Sequence, residues 1–137
     1  MKEDYPMKKL FALLMAVLMV LSLANIALAD DAPAYKIAIM TGTTSQGEEE
    51  VYAATSLLEK YPNIVVHDTY PDNFSSEVET TISKLIAFAS DPDVKAIIFV
   101  QAVQGATAAF TQIAKEMGRD DILLIAGVPA EDRKSVV

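Results

Sequence analysis

The sequence predicts an α/β fold, a three-layer, Rossmann-like parallel sheet with strand order 2-1-3-4. Three observations carry that prediction. Four short apolar runs recur along the chain: YKIAIM (35–40), NIVVHD (63–68), KAIIFVQ (95–101) and ILLIAG (122–127). Segments with apolar residues at helical spacing separate them, the alternation expected of a parallel sheet covered on both faces. The right-handed crossover rule then favours the order 2-1-3-4.

Each element has its own justification. After the first strand, EEEVYAATSLLEKY (48–61) places Val51, Ala54, Leu57 and Leu58 at helical spacing. Pro62 and Asn63 stop that helix and lead into the second, β-branched run. In SEVETTISKLIAFAS (76–90), Val78, Ile82, Leu85, Ile86 and Ala89 share a face, and Ser76 with Glu79 has the form of a capping box. DPDV (91–94) is a turn into the third strand. GATAAFTQIAKEMG (105–118) offers Ala109, Phe110, Ile113 and Met117 to the core, with Gly118 placed as a helix C-cap.

The two ends of the chain read differently from its middle. Lys8 and Lys9 precede LFALLMAVLMVLSLANIALA, which closes on Ala27-Leu28-Ala29 before Asp30 and Asp31. A basic start, an apolar core and small residues before a polar turn make residues 1–29 a secretory signal peptide, with Met1 or Met7 as its start. The uninterrupted apolar run from Leu10 to Leu21 is short of the ~20 residues that a spanning helix needs. Cleavage near Ala29 predicts a periplasmic or secreted protein that touches the membrane only through that segment. At the other end, DRKSVV coincides with the translation of a common sequencing adapter. Residues 132–137 are therefore expected to be foreign, and residues 30–131 to be a partial N-terminal lobe.

Charge narrows the partners. The first 29 residues carry three of the 11 basic and two of the 19 acidic residues, leaving eight against 17 and a net charge of −9. Nucleic acid needs Lys and Arg to displace its counterions, so it is excluded as a partner. With no cysteine there are no disulfides, and packing alone holds the domain.

In a doubly wound sheet, ligands bind beyond the carboxyl ends of the strands, where strand order reverses. That rim offers Thr41, Thr43, Thr44, Ser45 and Gln46 from the first loop. Tyr70, Asp72, Asn73 and Phe74 come from the second, Gln101 and Gln104 from the third, and Glu131 from the fourth. Tyr70 and Phe74 would supply flat apolar surface. Pro71-Asp72-Asn73 also has the form of a plain turn, and Ser75 and Ser76 read as caps. Gln101 and Gln104 are not turn formers, which favours a binding role for them.

Catalytic chemistry is poorly supplied. One histidine, His67, and no cysteine leave no nucleophile–base pair and no clustered metal ligands. His67 reads as a structural histidine. Glu48, Glu49 and Glu50 fit the first turn of a helix, where carboxylates complement the dipole by ~0.3–1 kcal/mol each. They also disfavour a phosphate at that helix N-terminus, and the loop lacks G-x-G-x-x-G and the P-loop lysine. Thr41-Gly42-Thr43-Thr44 resembles the hydroxyl-rich loop of flavodoxins, but Ile39 stands where that pattern wants a hydroxyl. The expectation is no cofactor, no metal and no enzymatic activity.

The ordered phrases YKIAIMTGTTSQGEEE, VVHDTYPDNFSSEVETTISKLIAFASDPDVKAIIFVQAVQGATAAF and DILLIAGVPAED resemble the start of a secreted, periplasmic-binding-protein-like bacterial family of unknown function. DPDVKAII (91–98) matches the phrase leading into strand three of type I binding proteins. The resemblance implies two α/β lobes joined by a hinge, of which this chain supplies the first part of one. The functional expectation is an exported solute-binding protein, for transport or sensing, that clamps a small polar solute. An ABC-type membrane transporter or a sensor is the implied partner. Asp72 and Glu131 favour a neutral or cationic solute. The competing readings are an envelope interaction module and a flavodoxin-like, FMN-binding domain.

Overall fold

A computed structural model of the chain describes residues 35–131; the expected signal peptide at 1–29 and foreign tail at 132–137 lie outside them. The elements are β1 (Lys36–Thr41), α1 (Thr44–Lys60), β2 (Val65–Thr69), α2 (Val78–Ser90), β3 (Val94–Phe99), α3 (Ala106–Thr111) and β4 (Leu123–Ala126). All pairings are parallel and the order is β2-β1-β3-β4, as the crossover rule requires. Register places Ile39 between His67 and Ile98, and Ile98 opposite Ile125.

One face of the sheet carries most of the core. Ala38, Met40, Ile97 and Phe99 point to it, and α2, α3 and the turn that follows α3 cover them with Leu85, Phe88, Ala89, Ala109 and Ile113. Removing apolar area of this kind from water stabilises by about 25 cal/mol per Å². The α2 spacing holds: Leu85 and Ala89 are buried, and Ile82 and Ile86 pack on the cluster's margin. Beyond α3, Gln112–Glu116 widens into a π turn, where Met117 N–H bonds Gln112 C=O at 2.9 Å. Gly118 ends it at φ +64°, the left-handed conformation that its predicted C-cap role needs.

The other face is thinner. There α1 packs on β1 and β2, and Ile39, Ala54 and Val65 form a small cluster. Of the four apolar positions expected to face the core from this helix, only Ala54 is buried, and Leu57 is 43% exposed. Strands lie ~4.8 Å apart and packed helices 8–10 Å apart, so one helix covers about two strands. On β4, Leu123 and Ile125 are exposed.

Two local expectations change. Helix α1 begins at Thr44, ahead of the glutamates, and Gly47 breaks it with non-helical angles (φ −164°, ψ 82°). The Ser76–Glu79 capping box does not form. Glu77 is the N-cap, and the Asn73 carbonyl gathers the Ser76 hydroxyl (3.0 Å) and the N–H groups of Ser76 (2.9 Å) and Glu77 (3.0 Å). The turn thus consumes the serine before the helix starts. No helix among the described residues is long and apolar enough to cross a membrane.

Candidate functional site

The carboxyl ends of β1 and β3, where strand order reverses, open onto the loops 42–43 and 100–105. Thr41 closes β1 below the rim. It is fully buried, its hydroxyl shared between Gly42 C=O (2.9 Å) and His67 Nε2 (2.8 Å). Burial holds the His67 pKa below its ordinary value, against a smaller opposing pull from Asp68. A neutral ring bonded to a buried threonine is a structural histidine, as its place late in β2 suggests.

Above it the first and second loops are tied together. Thr43 and Ser45 hydroxyls both donate to Asp72 Oδ1, the latter at 2.6 Å, and they lie 2.7 Å from each other. Gln46 Nε2 donates to the Asp72 carbonyl at 3.1 Å, while its Oε1 accepts the Thr43 N–H at 3.2 Å, one arm of a capping box. Hydrogen bonds from Ser45, then Thr43, hold the Asp72 carboxyl below the usual range and keep it anionic. Four of the expected binding residues, Thr43, Ser45, Gln46 and Asp72, therefore form one network, with Thr44 and Asn73 exposed beside it.

The third loop reaches the first through a residue that sequence reasoning assigned to the helix dipole. Gln101 Nε2 donates to Glu50 Oε1 at 2.7 Å, and Glu50 Oε2 is buried with no hydrogen-bond partner among the described residues. An unsatisfied buried acceptor of this kind costs about 1–3 kcal/mol. Glu48 and Glu49 are exposed, but Glu50 is half-buried. The signal was present in the spacing. Glu50 precedes Ala54, the buried residue of α1, by one helical turn and so shares its sheet-facing stripe. Gln104 is exposed further along the same loop.

Three expected contacts lie elsewhere. Tyr70 is only 1% exposed, its ring packed edge-on to Phe74 (5.7 Å) and tilted to Phe99 (5.6 Å). Tyr70 and Phe74 thus belong to the core instead of offering flat surface at the rim, because the chain turns inward after Thr69. Burial first, then the Glu50 charge, raises the Tyr70 pKa. Glu131 leaves the rim as well: its two oxygens accept the N–H groups of Gly105 (2.9 Å) and Thr107 (2.8 Å) at the start of α3. Burial raises its pKa, but these bonds and the Thr107 hydroxyl outweigh that and lower it. Glu131 is a helix cap at the edge of a 360 Å³ groove lined by Phe110, Ala114, Leu124 and Pro129, between α3 and β4. Gly105 adopts φ +96°, and a Cβ there would meet Val78 and Ile82 at 3.0 and 3.1 Å, so the third loop needs glycine to enter α3.

Comparison with known proteins places the chain in a family. The model described as "Protein of unknown function (DUF3798)" matches residues 35–137. An uncharacterised protein of Treponema pallidum (strain Nichols) is 35% identical over 104 residues, covering 71% of this chain and 46% of its own length. The chain thus spans about half the length of the curated relative it matches. A crystal structure of a proposed transcriptional regulator from Clostridium difficile 630 superposes with a TM-score of 0.67 at 20% identity, over 74% of this chain and 31% of that one. That likeness concerns the Rossmann-like α/β fold.

Proposed function

This chain belongs to that family of proteins of unknown function, and we propose that it serves as the recognition lobe of an exported, non-enzymatic solute-binding protein. One observation carries the reading. The loops after β1, β2 and β3 converge at the strand-order reversal with hydroxyl, amide and carboxylate groups, the polar equipment of a small-molecule site. The charged start and apolar stretch before Asp30 support export to the periplasm or beyond. A small polar solute is the ligand, and an ABC-type transporter or a sensor is the partner that would receive the closed form. Closure onto a second lobe would complete the clamp by hinge motion. The sole histidine is spent on Thr41 beneath the crevice.

An envelope interaction module is the second reading, favoured by the apolar groove beside α3 and the exposed Leu123 and Ile125. Differential scanning fluorimetry separates the two. The chain and the full Treponema pallidum relative are screened against amino acids, polyamines, sugars, nucleosides and carboxylates. A bound solute at a hundred times its Kd stabilises by about 2.7 kcal/mol and raises Tm. A flat response in both proteins across every class would leave the interaction module standing.

A further inference from the structure

We propose that Glu50 is the ligand-recognising residue of this crevice, and that it takes the ammonium or guanidinium group of a cationic solute. The inference rests on the solute-binding reading and names the ligand class that reading leaves open. Glu50 faces the strand-order reversal from the first turns of α1. It accepts from Gln101 in the loop after β3 at 2.7 Å, and its charge is felt at Tyr70 after β2.

The carboxylate is poorly satisfied by the protein itself. Gln101 is exposed and gives Oε1 a single neutral donor, whereas Oε2 has none among the described residues. The described ion pairs take Lys36, Lys84, Lys95 and Arg119 to Asp91, Asp93, Asp68 and Asp121, and none reaches Glu50. A cationic ligand group can displace the exposed Gln101 amide, replacing the neutral donor on Oε1 with a charged one. The amide bond to the carboxylate is already charge-assisted on the acceptor side, and an ammonium or guanidinium adds the direct attraction of opposite charges. The other two carboxylates compete weakly. Glu131 is committed to the start of α3, and Asp72 to Thr43 and Ser45, with its charge adding to the negative field at the rim.

The test is an NMR titration of the ¹⁵N-labelled chain with n-butylammonium and methylguanidinium, using n-butanol and butyrate as size-matched neutral and anionic probes. Both cations should shift the Gln101 side-chain amide and the backbone amides of Glu50 and Tyr70, and butanol and butyrate should not. Glu50→Gln should weaken cation binding by about tenfold or more, roughly the loss of one charged contact, with the dispersion of its spectrum as the check on folding. Gln101→Ala, which removes the competing donor, should bind the cations as well or better. Unchanged binding by Glu50→Gln overturns the assignment to this residue. Equal shifts from butanol overturn the cationic class while leaving a solute site in place. If no probe and no metabolite of the fluorimetric screen moves these amides, both this assignment and the solute-binding reading fail.

Discussion

At the amino ends of the strands, Lys36, Lys95 and Arg119 each meet an aspartate, at 2.7, 2.5 and 2.8 Å. At the carboxyl ends the described groups are hydroxyls, amides and carboxylates, and Lys84, paired with Asp68 at 2.8 Å, is the nearest described ion pair. The amino end neutralises its charges internally and closes. The carboxyl end leaves carboxylate capacity facing solvent at Asp72 and unsatisfied at Glu50. The difference teaches where specificity can reside: charge already paired within the protein has little left for a ligand, whereas unpaired charge does.

The carboxyl end is nevertheless stiff, through backbone. Gly127 N–H bonds Phe99 C=O at 2.8 Å, Ala102 N–H bonds Gly127 C=O at 2.9 Å, and Ala130 N–H bonds Ala102 C=O at 2.8 Å, lacing the third and fourth loops together. A Cβ on Gly127 would fall 2.3 Å from the Val100 carbonyl oxygen, which the backbone cannot yield. Gly127→Ala should therefore produce the largest effect, a destabilisation of about 3 kcal/mol in urea denaturation. A cost near zero would show that this rim is pliable and would blur the contrast between the ends.

At the amino end, Arg119 binds the carbonyls of Ala89, Asp91 (3.1 Å) and Val94 (2.8 Å), tying the end of α2 to the start of β3. Arg119→Ala strands these acceptors and should cost about 2 kcal/mol, read in the same denaturation experiment. Arg119→Lys recovers only part of that, because one ammonium does not reproduce the planar fork.

The smallest effect is a pH dependence that belongs to the carboxyl end. The folded pKa of His67 lies below its ordinary 6.5, so the unfolded chain takes up a proton first as pH falls. Its stabilising contribution is complete above 6.5 and is lost progressively below it, toward the folded value. Melting curves across that range should show Tm declining with acid, and His67→Gln should flatten the decline. An unchanged slope would shift the dependence to the carboxylates.

Much of the scaffold was legible because period and composition act locally. Residues 96–99 are a short apolar run of strand length, and Pro62, Gly118 and the β-branched runs punctuate the chain without help from distant parts. The polar rim was legible too, since parallel α/β topology puts loops from successive strands at one edge. Which rim residue does what was not. Tyr70 and Asp72 are two positions apart, and one is core while the other is surface, a distinction fixed by the path of the chain after β2.

The sequence by itself therefore determined the α/β class, the strand order and the edge of the sheet that carries polar groups, because periodicity, sterics and crossover handedness operate within a few dozen residues. Only the tertiary structure decided that Glu131 caps α3, that Asp72 ties two loops together, and that Glu50 meets Gln101. Those pairings join residues 24 to 51 positions apart. A hydrogen bond forms between whichever donor and acceptor the packed sheet brings within 3 Å, and no local rule of sequence contains that distance.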